Sequence, residues 1–432
     1  MDRNSILGIV LIVAILFGFT WYNMPNAEER ARLQHVADST AQAEQELRAK
    51  TVNAEELAKQ QALDSAAGTR TTDTTTIDPL IAAADSALAD SLQKSALARR
   101  FSMFEPAAQG VGEELVIANN RLQVSINTHG ARPTLMLLKK YQTYRKKPLI
   151  LADPDSGRYD LTFRVGNLDI STQDLYFTVE KKDSNAVVLR AATSDPAKFL
   201  RVSYALDSTS YFMHTKAEFV KMAEEVDARN FAFHWDLVGL NNEKYKPAEE
   251  QKCGVYFKYF NDKRSYIGET AAEEKKLEGK TNWVAFKQDF FTVAMVSEEG
   301  FASNGSEIAV APIADSAFTK SYKTTLYFEK DRGAAPTVDM RFYLGPNHYG
   351  TLKETEIPDF EKIIDLGWGI FGWMNQWLVI PIFNWLDAWG WNYGIIILVL
   401  TVVIKLLLMP LTYKNLVSSA KMRALKPEID VI

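Results

Sequence analysis

The stretch Asn392–Leu411 constrains this chain more than any other. From Gly394 it reads GIIILVLTVVIKLLLMPL. That is close to the roughly 20 apolar residues needed to cross a hydrocarbon layer about 30 Å thick, so a transmembrane helix is expected over 392–411. One cation, Lys405, lies inside it. An ammonium near the middle of a bilayer costs roughly 2.5–3.5 kcal/mol on insertion scales, so it calls for a partner, a wet cavity or a route to the headgroups. Thr401 lies one helical turn earlier on the same face, and the two make a polar spot on an otherwise apolar helix. A second reading stands beside this one. Lys405 is six residues, about 9 Å along a helix, from Leu411, and a lysine stem can snorkel that charge toward the surface.

The flanks fit a membrane boundary. Six of the nine tryptophans fall between Trp368 and Trp391, and indoles prefer the interfacial depth. Over Glu356–Trp391, Ile363, Ile370, Phe371, Met374, Leu378 and Leu386 recur at helical spacing. Trp368, Trp373, Trp377, Trp385 and Trp389 are the candidate interfacial anchors. Pro381 should kink or divide this segment. An amphipathic helix lying in the interface is expected over 356–391; a helix packed on the preceding domain is the alternative. After the span, residues 412–432 carry Lys414, Lys421, Arg423 and Lys426, which places this side in the cytoplasm by the positive-inside rule. Leu416, Ala420, Ala424 and Ile429 there form one apolar helical face.

Upstream, Ser5–Tyr22 (SILGIVLIVAILFGFTWY) is a second membrane candidate. Its length and its Thr20-Trp21-Tyr22 end favour an uncleaved anchor over residues 1–24 rather than a signal peptide. Residues 25–105, rich in Ala, Gln, Glu, Asp and Thr, read as a flexible, partly helical stalk with a break at Gly68–Thr76. From about Leu115 the apolar period becomes two, as in Leu122, Val124 and Ile126. Strand-like runs follow at Tyr159–Val165, Leu175–Val179, Ala186–Ala191, Phe199–Ala205, Tyr211–Val220, Phe231–Leu237, Val255–Tyr259, Trp283–Phe286, Phe290–Val296, Glu307–Ala311 and Thr324–Glu329. Many short strands separated by turn signals indicate a β-sandwich or barrel over 106–348. Charged stretches such as Ala271–Lys276 read as solvated loops. Cys253 is the only cysteine, so neither an intrachain disulfide nor a multi-cysteine metal site is available. No nucleophile elbow, zincin motif or phosphate loop appears, and no long basic tract points to nucleic acid.

Three groups of residues carry a family resemblance. They are Thr401-x-x-x-Lys405 followed by Met409-Pro410-Leu411-Thr412; Ser419-Ala420-Lys421-Met422-Arg423 with Leu425, Pro427 and Ile429; and Trp283-Val284-Ala285-Phe286-Lys287-Gln288 with Tyr343-Leu344-Gly345-Pro346. Together they resemble the first core span, the start of the cytoplasmic hairpin and the periplasmic domain of the YidC membrane protein insertases, bacterial relatives of the mitochondrial Oxa insertases. The order of anchor, stalk, β-domain, interfacial helix and span is similar as well. The resemblance implies a multi-pass inner-membrane protein with a periplasmic β-supersandwich of sugar-mutarotase type. It implies an α-helical insertase core whose hydrophilic groove holds a cation; Lys405 and Thr401 take the groove positions, and Lys421 and Arg423 begin the hairpin. Most bacterial relatives have arginine where this chain has Lys405, which keeps the charge and loses the bidentate fork. Implied partners are nascent membrane proteins, the Sec translocon, the ribosome and membrane lipid, with no cofactor, no metal and no enzymatic step. Because no helix stop signal precedes Ile432, the remaining core spans are expected beyond it. The alternative is a membrane-tethered carbohydrate-binding or carbohydrate-modifying β-sandwich, which leaves Lys405 and the basic segment without a role.

Overall fold

The computed structural model describes residues 92–429 except 153–156, 228, 230 and 329–335, with side chains described except at 411 and 421–429. The expected anchor at Ser5–Tyr22 and the stalk as far as residue 91 lie outside them.

The described part begins as a helix over 92–101 and a 3-10 turn, Ser102–Ala107. Phe101 and Phe104, which the sequence places in the stalk, are buried in the core of the domain that follows; Phe104 meets Phe163 edge-on at 5.3 Å. Antiparallel strands then build three sheets. β1 (Glu114–Ala118), β2 (Leu122–Asn127), β3 (Arg132–Gln142) and β4 (Pro148–Ala152) form a four-stranded meander. Next come β5 (Tyr159–Val165), β6 (Leu168–Ser171), β7 (Thr178–Lys182), β8 (Ala186–Ala192), β9 (Phe199–Leu206), β10 (Phe212–Val220) and β11 (Ala232–Leu240). Beyond the short helix α1 (Lys246–Glu250) lie β12 (Gly254–Tyr259), β13 (Arg264–Ile267), β14 (Glu273–Lys276) and β15 (Thr281–Lys287). The last four are β16 (Phe291–Phe301), β17 (Glu307–Pro312), β18 (Phe318–Tyr327) and β19 (Thr337–Pro346).

One sheet has the order β13-β12-β15-β16-β19-β10-β9-β8-β7 and the other β14-β17-β18-β11-β5-β6. They pack face to face: Trp235 of β11 meets Phe342 of β19 at 5.2 Å and Phe286 of β15 at 5.7 Å. The result is a β-sandwich with one continuous apolar core. Strict alternation of burial along β9 shows why its sequence alternates. β15 is buried at nearly every position, and its Trp283-Val284-Ala285-Phe286 run reflects a strand covered on both faces.

Two sequence expectations change. Ala271–Lys276 is not simply loop, because Glu273–Lys276 forms β14 at a sheet edge, where charge suits an exposed rim. The run at Leu175–Val179 starts as a turn closed by Leu175 N–H on Thr172 O, and β7 begins only at Thr178.

The C-terminal segment holds α2 (Tyr349–Lys353), a 3-10 turn Phe360–Ile363, α3 (Gly369–Met374), a π turn Asn375–Val379, α4 (Ile380–Asp387) and α5 (Tyr393–Ile429). The segment expected as one amphipathic helix is therefore divided. Phe360 and Ile363 are fully buried in the β-core, and the helical part runs from Gly369. Gly367 and Gly369 take φ of +90° and +59° at the joint, conformations that a Cβ disfavours. Just before Pro381 the π turn moves the ladder, Ile380 N–H reaching Asn375 O; Pro381 has no N–H to give.

Candidate membrane site at the C-terminal helices

The exit from the sandwich is held by the motif residues. The Trp283 indole N–H donates to Pro358 O at 2.9 Å, and its ring meets Phe360 at 5.3 Å. Tyr343 meets Phe360 at 5.2 Å and donates its hydroxyl to Pro346 O at 2.7 Å. A Cβ on Gly345 would lie 2.7 Å from the Tyr343 ring and 2.9 Å from Tyr211, so glycine is required for this approach. Asn347 donates to Gln288 O and Asp289 O, both at 2.9 Å. Lys258 lies 3.7 Å from Asp359, which also accepts from Lys362. The sequence motifs thus fix the route by which the chain leaves the β-domain. Phe360, Lys258 and Asp359, which share this duty, carry no motif of their own.

Beyond Gly369 the surface is apolar and exposed. The five tryptophans expected as anchors range from 56% exposed at Trp389 to 84% at Trp368. A set of this size on a water-soluble protein would be a large unpartnered apolar patch; the expected interfacial position would cover it. Gly390, with φ of +72°, turns the chain back. Asn392 caps α5 by accepting from Gly394 N–H at 2.8 Å. Leu386 of α4 packs on Ile396 and Leu400 of α5, and Phe383 stacks on Tyr393 at 6.0 Å.

α5 runs 37 residues without a break, so the expected span and the start of the expected hairpin are one helix. Tyr393–Pro410 is the one helix among the described residues long and apolar enough to cross a membrane. Lys405 is nine positions, two and a half turns, from Ile396, so it faces away from α4. Its side chain is exposed, and no hydrogen bond or ion pair to it occurs among the described residues. Thr401 is exposed on the same side, but its hydroxyl donates to Ile397 O at 2.8 Å and not to Lys405. The backbone at Lys421 and Arg423 continues α5; their side chains are outside the described set.

The sandwich holds buried charges that close loops. Lys320 Nζ donates to the carbonyls of Cys253, Gly268 and Glu269 at 2.6–2.8 Å. Lys287 Nζ donates to Lys252 O at 2.6 Å. Glu249 accepts from the backbone N–H groups of Asn242 and Glu243, and burial pushes its carboxyl above the usual range. Burial also pushes the Cys253 thiol up to about 11, so it stays a thiol near neutrality. These groups are spent on backbone polar atoms and present no open acid–base pair.

A family model described as YidC periplasmic domain matches residues 114–383, and one described as 60Kd inner membrane protein matches 385–432. The chain is 30% identical over its whole length to a membrane protein insertase YidC of Parabacteroides distasonis, covering 66% of that protein. It is 31% identical to the Bacteroides fragilis protein of the same name, again over all of this chain and 66% of the other. The crystal structure of YidC from Thermotoga maritima matches at 12% identity and a TM-score of 0.29, over 69% of this chain and 72% of that one. The chain therefore spans about two thirds of the length of these curated relatives.

Proposed function

Because the chain belongs to the YidC family, as the match over its β-domain establishes, we propose that it is the anchor, periplasmic domain and first core span of a membrane protein insertase. Its β-sandwich is read as a supersandwich on the outer side of a bacterial inner membrane. The N-terminus and the end of α5 lie in the cytoplasm. Clients are nascent membrane proteins; the ribosome and the Sec translocon are the assemblies that deliver them. The protein acts as a chaperone for insertion, without a covalent step or a cofactor.

The observation that carries this reading is Lys405, the one cation within the membrane-length stretch Tyr393–Pro410, pointing away from α4, which packs on α5. A nascent segment with an acidic flank must take that flank past hydrocarbon. A wet cationic groove shortens the apolar path and attracts the flank. Two unit charges about 8 Å apart interact by roughly 2 kcal/mol at an effective dielectric near 20, enough to change a partitioning step more than tenfold. Thr401, its donor spent on the backbone, still offers lone pairs on the groove side.

The test uses the full-length protein in cells depleted of the native insertase, with protease protection of acidic-tailed and neutral-tailed clients at matched protein levels. Lys405→Arg should retain insertion. Lys405→Ala should impair acidic-tailed clients, Lys405→Glu should impair them further, and neutral-tailed clients should change little. Normal insertion of both classes by the Ala and Glu variants would remove Lys405 from the mechanism and leave it a snorkelling residue.

A further inference from the structure

Where the sandwich meets the interfacial helices lies an open cleft of about 490 Å³. Its sides differ in sign. Lys263 stands on the turn entering β13 and Arg264 is the first residue of that strand; on the segment leading to α3 stand Glu361 and Asp365. Arg264 is held by two rings, its guanidinium 5.1 Å from Tyr256 and 5.6 Å from Tyr266, and it makes no ion pair among the described residues. The ammonium of Lys263 and the carboxylate of Glu361 are likewise without an ionic partner there. Asp365 uses one oxygen to accept from Gly367 N–H at 2.9 Å; the other is free for a ligand. The third carboxylate, Asp359, is already engaged by Lys362 and Lys258. Lys362 also lines the carboxylate side, its ammonium taken up by Asp359; Trp373 and Gln376 are among the residues of the remaining wall, and Trp373 belongs to the exposed set with Trp368 and Trp377.

We infer that this cleft binds a zwitterionic phospholipid headgroup of phosphoethanolamine type, its phosphate on Lys263 and Arg264 and its ammonium on Glu361 and Asp365. The tryptophan belt sets the mouth of the cleft at headgroup depth, which favours a lipid over a free anion. A purely anionic headgroup meets the two carboxylates and is disfavoured. A quaternary ammonium has no N–H to donate to them, so phosphocholine binds less well. Gly372 lets α3 close onto the Gly367 joint that borders the cleft: a Cβ there would fall 2.3 Å from Gly367 O. The inference rests on the membrane placement proposed above, but not on insertion activity.

The test is native mass spectrometry of the full-length protein in nanodiscs containing equal phosphatidylethanolamine, phosphatidylcholine and phosphatidylglycerol. Retained phosphatidylethanolamine should exceed phosphatidylcholine by about 1.5-fold to fivefold, the range exposed charge pairs deliver. Glu361→Gln with Asp365→Asn should erase that preference and raise phosphatidylglycerol. Lys263→Glu with Arg264→Gln should reduce retention of all three. Unchanged thermal unfolding of the β-domain shows that the variants are folded. Retained lipid that mirrors the bulk in wild type and variants alike overturns the inference, as does displacement by an acidic peptide without headgroup selectivity, which marks a peptide site. A protein that does not enter the bilayer at all refutes the membrane placement instead.

Discussion

Trp283 shows what a single residue contributes here. Its ring packs on Phe360 and its indole N–H satisfies Pro358 O. Trp283→Phe keeps the packing and strands the carbonyl, so a loss of about 1 kcal/mol is expected. Trp283→Ala opens a cavity and should cost about 3–5 kcal/mol. Denaturant unfolding read by near-ultraviolet circular dichroism distinguishes these; equal losses would mean that the ring packing is not what holds the exit. Asp359 adds a pH dependence. The hydrogen bond from Lys362 holds its carboxyl below the usual range, against a smaller opposing effect of burial. A depressed carboxyl stabilises the fold above the ordinary carboxylate pKa, and that stabilisation is lost as pH falls through the folded value. Hydrogen exchange over 354–364, corrected for intrinsic rate, should therefore rise in acid, and Asp359→Asn should abolish the pH dependence. Lys405 was legible in the sequence because nothing around it is charged. The Trp283–Pro358 bond was not, since it joins positions 75 apart and neither residue announces the other.

At the scale of elements, legibility followed exposure. β8 and β9 were read within a residue or so because one face is buried and the other half-exposed. β14 and most of β7 escaped because both their faces meet water and no alternation marks them. β19 lay hidden behind the charges of Asp339 and Arg341, although it pairs with both β10 and β16. The segment expected at the interface starts later than its spacing implies, since Phe360 and Ile363 have helical spacing with later apolar residues yet serve the sandwich. A fragment spanning 92–364 should thus fold as a soluble, predominantly β protein, and a mainly helical circular dichroism spectrum would contradict this. Gly367→Ala forces a Cβ onto φ of +90°, at a cost of about 1–2 kcal/mol. Cleavage by added protease near the joint should increase while thermal unfolding of the sandwich stays unchanged.

For the whole molecule, the proposed topology puts the sandwich outside the cell's inner membrane and the end of α5 within the cytoplasm. Single cysteines at Lys181 and at Lys414, in a chain with Cys253→Ser, test this. An impermeant thiol reagent on spheroplasts should label the first and spare the second, and the reverse pattern would invert the orientation. α5 then has a mechanical consequence. At 37 residues it is about 55 Å long, well beyond a hydrocarbon layer of about 30 Å, and its outer end is fastened by the Asn392 cap and by Leu386. A rod gripped at one end has a fixed azimuth along its length. In the proposed topology, the compass direction in which Lys405 looks out inside the membrane is therefore set at the outer surface, and a torque applied to α4 would be felt as rotation of that lysine.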